Sequence, residues 1–253
     1  KYAEKARQAK VKLKSPAYAG MVESLDENIG RMLEWLEQKG LRKNTIVIFM
    51  SDNGHSEETN NRIRVIHHKS GLPEGHFYGA SGGGNTGKWI GHKGTFLEGG
   101  IRVPAIVRFP KALPKGVVRD QVVTVMDWFP TVLELVEIPK PDIKLDGRSM
   151  LPVIRDAQAP SAHKVLHFEW PNSWAVREGD WKLIEAFDPA SVELYNLKTD
   201  LSETTDLAEK QPDRRDSLLQ ELEAWRVSVR AERMLPNPDF DPNAKPRNKM
   251  SAR

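Results

Sequence analysis

The 253-residue sequence contains no cysteine. Disulfide bonds, thiolate zinc sites, iron–sulfur clusters and a cysteine nucleophile are therefore excluded within it. The absence leaves the redox compartment open, because a secreted chain of this length needs no disulfide. No run approaches the roughly 18 apolar residues that a membrane-spanning helix requires. A basic stripe interleaved with aromatic residues is missing too, which argues against a nucleic-acid partner. The net charge of +3 hides an asymmetry: residues 1–14 hold six basic groups and one acid, and residues 242–253 hold four basic groups and no acid. The basic balance thus belongs to two polar ends that read as frayed tails, around a net-negative body. The chain opens on Lys1 with no leader pattern, which reads as a processed or incomplete start.

What is present suits a globular protein, with 39% hydrophobic and 29% charged residues. Ser15-Pro16 is a helix start. Apolar residues then recur at Tyr18, Met21, Val22, Leu25, Ile29, Met32, Leu33 and Leu36, and Gly40 closes the helix. Ile46 to Met50 reads as a strand buried on both faces of a parallel sheet, so helix and strand together predict a layered α/β fold. Residues 51–100 differ in kind, holding twelve of the 18 glycines and five of the seven histidines. Such a stretch after a buried strand is where ligand-binding loops of α/β sheets gather. Further on, 105–109 reads as a strand, 122–126 as a short strand and 127–136 as a helix. Residues 165–170, 181–184 and 193–197 suggest a small antiparallel sheet, followed by a helix over 212–230 and a disordered tail.

Four local features carry candidate chemistry. Asp52 and Asn53, in Ser51-Asp52-Asn53-Gly54 at the strand end, offer hard oxygen donors for Ca²⁺ or Mg²⁺, although the same residues make a plain turn. Gly82 to Lys88 fits the first seven positions of a phosphate-binding loop, but Trp89 stands where a Ser or Thr must bind Mg²⁺, so nucleotide binding is rejected. Lys93, between Gly91 and Gly94, can bring its ammonium close to an anion or simply face solvent. Glu98 and Arg102 are spaced as a structural ion pair. His67, His68 and His76 lack the spacing of a zinc site, and His163 and His167 are not expected to converge.

These pieces, in this order, resemble the C-terminal part of a formylglycine-dependent sulfatase of the arylsulfatase-like type, in the alkaline phosphatase superfamily. The carriers are Tyr18-x-x-Met21-Val22-x-x-Leu25-Asp26-x-x-Ile29-Gly30, Ile46–Met50 with Ser51-Asp52-Asn53-Gly54, and Lys88-x-x-x-His92-Lys93-Gly94-Thr95-x-x-Glu98-Gly99-Gly100-Ile101-Arg102-Val103-Pro104. To these are added Met126-Asp127-x-Phe129-Pro130, Leu145-Asp146-Gly147-Arg148-Ser149, Gly179-Asp180-Trp181-Lys182-Leu183-Ile184, and Glu193-Leu194-Tyr195-Asn196-Leu197 with Asp200, Glu203 and Leu207.

The resemblance implies hydrolysis of a sulfate ester, with a sulfated glycan, an aryl sulfate or a lipid sulfate as candidate substrates, using one Ca²⁺ and a hydrated formylglycine that attacks sulfur. It implies Asp52 and Asn53 as two of the metal ligands, Lys93 as a catalytic, sulfate-contacting lysine beside the leaving oxygen, and His55 as a catalytic residue that touches the substrate or the leaving group. Glu98, Arg102 and Asp127 are expected to be scaffold. No Cys or Ser in the chain heads the family's nucleophile signature, so the expectation is a fragment lacking the N-terminal half of the site and inactive alone. Residues 1–159 are expected to belong to the catalytic α/β sheet sandwich. Residues 160–235 are expected to form a small α+β subdomain with antiparallel strands, and 236–253 a tail. A secreted or periplasmic location is a family expectation. The rival readings are a phosphate or phosphonate ester hydrolase of the same superfamily and a non-catalytic binding fragment.

Overall fold

The computed structural model describes residues 1–10, 16–56, 63–64, 77–78, 84–170, 173–187 and 189–232. The chain begins with α1 (Tyr2–Gln8) and α2 (Pro16–Gln38). Residues 1–14 were expected to fray, but α1 forms, held by a Glu4–Arg7 pair within the helix and by Lys1 reaching Glu23 on α2. The long helix forms as its apolar spacing predicts, but its stripe is not covered by the described residues. Only Leu36 is buried, whereas Met21, Val22, Leu25, Met32 and Trp35 are each about half exposed.

The strand β1 (Val47–Met50) pairs antiparallel with β4 (Ala105–Arg108), Phe49 opposite Ile106. Between them lie the two-residue strands β2 (Ile63–Arg64) and β3 (Phe77–Tyr78) and the short helix α3 (Glu98–Ile101). The expectation of a parallel, doubly buried β1 is therefore corrected. Among the described residues its only partner is antiparallel, and Ile48, Phe49 and Ile106 remain exposed.

No strand forms over 122–126. Thr124 instead accepts the Met126 N–H, and the Asp127 carboxylate accepts the Thr124 N–H at 2.8 Å, a capping box that winds Val125–Asp127 into a 3₁₀ turn. That turn leads directly into α4 (Trp128–Leu135), and α5 (Leu151–Arg155) follows. Phe109, Leu135 and Leu151 form a small core between β4, α4 and α5. The buried Asp127 also accepts the Arg148 N–H and lies 2.7 Å from His163 Nε2, tying three segments together.

The final third is a four-stranded antiparallel meander of β5 (Val165–Trp170), β6 (Ser173–Glu178), β7 (Trp181–Phe187) and β8 (Ala190–Asn196). Strand alternation gives it two faces. Trp174, Val176, Leu183 and Leu194 pack on Leu218 and Leu222 of α6 (Pro212–Val229) and make the main core. The opposite face, which carries Phe168, Arg177 and Lys182, contacts the 96–98 segment.

Candidate active site

Two loops separated by some forty residues are laced together by their backbones. Beyond β1, the Gly54 N–H donates to Gly100 O at 2.8 Å and the Lys93 N–H donates to His55 O at 2.9 Å. The lacing needs Gly54, because a Cβ there would lie 1.8 Å from Gly99 O. Within the first loop, Ser51 Oγ donates to Asn53 O and Asn53 Nδ2 to Gly54 O, both at 2.8 Å. These contacts leave the Asn53 side-chain oxygen and the exposed Asp52 carboxylate without a protein partner among the described residues. His55 packs against Gly84, where a Cβ would come within 2.6 Å of its own, and its Nδ1 is buried without a hydrogen-bond partner.

The second loop is closed on itself. Gly99 N–H donates to Ile90 O at 2.7 Å, and Thr95 bridges back to His92 O through both its N–H and its hydroxyl. Gly91 and Gly94, on either side of His92-Lys93, adopt φ of +94° and +92°. Lys93 is thereby displayed, exposed, on a tight, internally hydrogen-bonded turn beside His55. The Arg102 guanidinium stacks over the Trp89 ring at 4.8 Å and lies 3.4 Å from Glu98 Oε2, the expected bracing pair.

Beneath the loop is a buried ionic cluster that the sequence did not reveal. Lys182 Nζ donates to Phe96 O and to Glu98 Oε1, each at 2.8 Å, and pairs with Glu203 Oε1 at 2.6 Å. Burial pushes the Glu98 carboxyl up, but Lys182, Arg177 and Arg102 outweigh it and hold the group below the ordinary glutamate range. Burial dominates at Glu203 and raises its carboxyl despite Lys182. Alternation with Trp181 and Leu183 reads Lys182 as solvent-facing, so only knowledge of what covers that face could have found it.

The structure thus brings Asp52, Asn53, His55 and Lys93 into one region, whereas His163 lies on Asp127 and His167 stacks on Trp225. His67, His68 and His76 lie outside the described residues. Among the described residues no group of three or more His, Asp or Glu could hold a metal. The Asp52 carboxylate and the Asn53 side-chain oxygen, two ligand side chains, fit part of a Ca²⁺ shell, which takes six to eight oxygens.

The family model described as Sulfatase matches residues 1–138, more than half of the chain. The chain belongs to the sulfatase family. A second model, N-sulphoglucosamine sulphohydrolase, C-terminal, matches residues 88–228 of this sulfatase chain. An uncharacterised sulfatase of Schizosaccharomyces pombe is 37% identical over 240 residues, covering 83% of this chain and 42% of that protein. Steryl-sulfatase of Mus musculus is 38% identical over 165 residues, covering 64% of this chain and 24% of that protein. The solved structure of Ps i-CgsB in complex with k-i-k-neocarrahexaose superposes with a TM-score of 0.64 at 26% identity, over 82% of this chain and 42% of that one. The sheets and helices described above are accordingly those of the sulfatase, alkaline-phosphatase-like α/β fold. The chain spans less than half the length of these relatives.

Proposed function

We propose that this chain forms one wall of the active site of a sulfate-ester hydrolase. In this reading residues 1–159 belong to the catalytic sheet sandwich and 160–235 to a C-terminal subdomain. The observation that carries it is the lacing of Lys93 to His55 and of Gly54 to Gly100, which supports a shared role for Asp52, Asn53 and His55 with Lys93, about forty positions later in the sequence.

Asp52 and the Asn53 side-chain Oδ1 would be two ligands of a Ca²⁺ whose other ligands lie outside this chain. Such an ion supplies positive charge against the sulfate oxygens. Formylglycine, formed from a residue outside this chain, supplies the nucleophilic oxygen. Lys93 stabilises the negative charge that grows on the leaving oxygen as the S–O bond breaks, from a turn closed by its own hydrogen bonds. His55, packed against Gly84 with its Nδ1 buried and unpartnered, would touch the substrate or its leaving group from beside Lys93. Without the nucleophile and the remaining ligands this chain has no hydrolase activity of its own, because such groups act as a unit.

The test uses the natural gene product that carries this chain, with formylglycine installed, on 4-nitrophenyl sulfate, 4-nitrophenyl phosphate and a phosphonate monoester. Preferential sulfate cleavage is expected, with kcat falling about a hundredfold or more in Lys93→Ala. Preferential cleavage of phosphate or phosphonate, or unchanged turnover in Lys93→Ala, would overturn the reading.

A further inference from the structure

We propose that Lys182 is a positioning residue for Lys93, acting through the floor of the loop that presents it; this rests on the reading of Lys93 as the sulfate-contacting lysine. Lys182 is fully buried on β7, so it cannot itself meet a substrate. Three oxygens surround its ammonium: it donates to Phe96 O and Glu98 Oε1 and forms an ion pair at 2.6 Å with Glu203 Oε1, which itself accepts no hydrogen bond. Two of them lie three and five residues after Lys93, within the closed 90–99 turn. Glu203 Oε2 accepts the Glu98 N–H at 2.6 Å, which joins the cluster into a ring of lysine, two glutamates and a loop backbone.

The Lys93 turn is therefore held from two sides. One side is the backbone bond to His55. The other is the C-terminal sheet, through Lys182, with Phe168 against Phe96 at 6.0 Å and Arg177 3.9 Å from Glu98. A cation and two carboxylates withdrawn from water are a poor device for stability alone, since apolar residues of the same volume serve as well or better. What such a cluster supplies is a single geometry. Phe96 O and Glu98 can satisfy the ammonium in one arrangement of the turn, and that arrangement fixes the direction of Lys93.

The test is a double-mutant cycle in the natural gene product with formylglycine installed, using Lys182→Met and Lys93→Ala on an aryl sulfate. Lys182→Met is expected to lower kcat about tenfold or more in the folded fraction, because small displacements of a reacting group are costly, with KM little changed. In the Lys93→Ala background the same substitution is expected to cost almost nothing further. Amide hydrogen exchange is expected to rise at Lys93 and Gly99 and not across α6. Glu203→Gln keeps the lysine and the side-chain shape, and carries the same expectations in smaller measure should Lys182→Met fail to fold. Equal losses in both backgrounds, an unchanged kcat in the folded fraction, or failure of both variants to fold would overturn the proposal and leave the cluster structural. A Lys93→Ala enzyme with full turnover would instead overturn the role of Lys93 itself.

Discussion

Gly54 is the residue of the site with least room to change. Its missing Cβ is the space occupied by Gly99 O. Gly54→Ala is expected to part the two loops and to destabilise the protein by about 1–3 kcal/mol, as overpacking does. Thermal unfolding together with faster exchange of the Lys93 amide would register it, and an unaltered amide would show that the loops do not depend on each other.

The buried glutamates make a pH prediction with opposite signs. Glu203 has a raised carboxyl pKa, so its contribution to stability is fully present below the ordinary value near 4.5 and is lost as pH rises through the folded value. Glu98 has a lowered one, and its contribution is present above that ordinary value and lost as pH falls. Glu203→Gln removes only the first. Its melting temperature relative to the parent is expected to climb as pH rises above about 4.5. A difference that stays flat with pH would contradict the raised carboxyl. At this scale Asp52, Asn53 and Lys93 could be assigned site roles only through the family resemblance, because Asp-Asn-Gly also makes a plain turn and a glycine-flanked lysine also faces solvent. Lys182 could not, since its meaning depends on Phe96 and Glu98, more than eighty positions away.

Among the elements, β5 joins β6 and β7 in linking the C-terminal sheet to the Lys93 turn. Alternation places Phe168 and Trp170 on the same side, and Phe168 already meets Phe96 of the Lys93 turn. Trp170, 55% exposed near the strand end, then offers a flat ring on the side of the sheet that faces the site. If the substrate is a sulfated glycan, Trp170→Ala is expected to raise KM several-fold for an oligosaccharide and to leave a small aryl sulfate unaffected. Equal KM changes on both would remove Trp170 from substrate recognition. The long helices α2 and α6 could be read from apolar spacing, and β5, β7 and β8 from short apolar runs. The strand β6 escaped because Trp174-Ala175-Val176 is brief and follows β5 after only Pro171-Asn172. The 122–126 segment misled because its β-branched residues are overruled by the Thr124–Asp127 capping box.

For the whole molecule, core and exposure are unevenly shared. The meander and α6 enclose a closed apolar core, whereas α2 and the β1–β4 pair turn Met21, Leu25, Trp35, Phe49 and Ile106 outward. Apolar elements left open in this way are characteristic of surfaces that other polypeptide covers. The same division applies to the metal. Calcium titration of this chain alone is expected to give no saturable binding below roughly 1 mM, since two ligand side chains are far short of a shell. Stoichiometric binding in the micromolar range would contradict the half-site. The α/β class was legible at this scale from the order of elements. That the described residues leave β1 partly exposed was not, because an apolar strand reads the same whatever covers it.

The ring formed by Lys182, Glu98 and Glu203 also bears on how such proteins diversify. Two of its members come from the segment after residue 160 and one from the segment before it. The terminal meander therefore cannot be exchanged between relatives as an independent cassette. A hybrid whose donor segment lacked the lysine would leave the buried Glu98 with only the more distant Arg102 and Arg177 as cations and Phe96 O without its donor, so exchange across this boundary favours donors that carry the matching lysine.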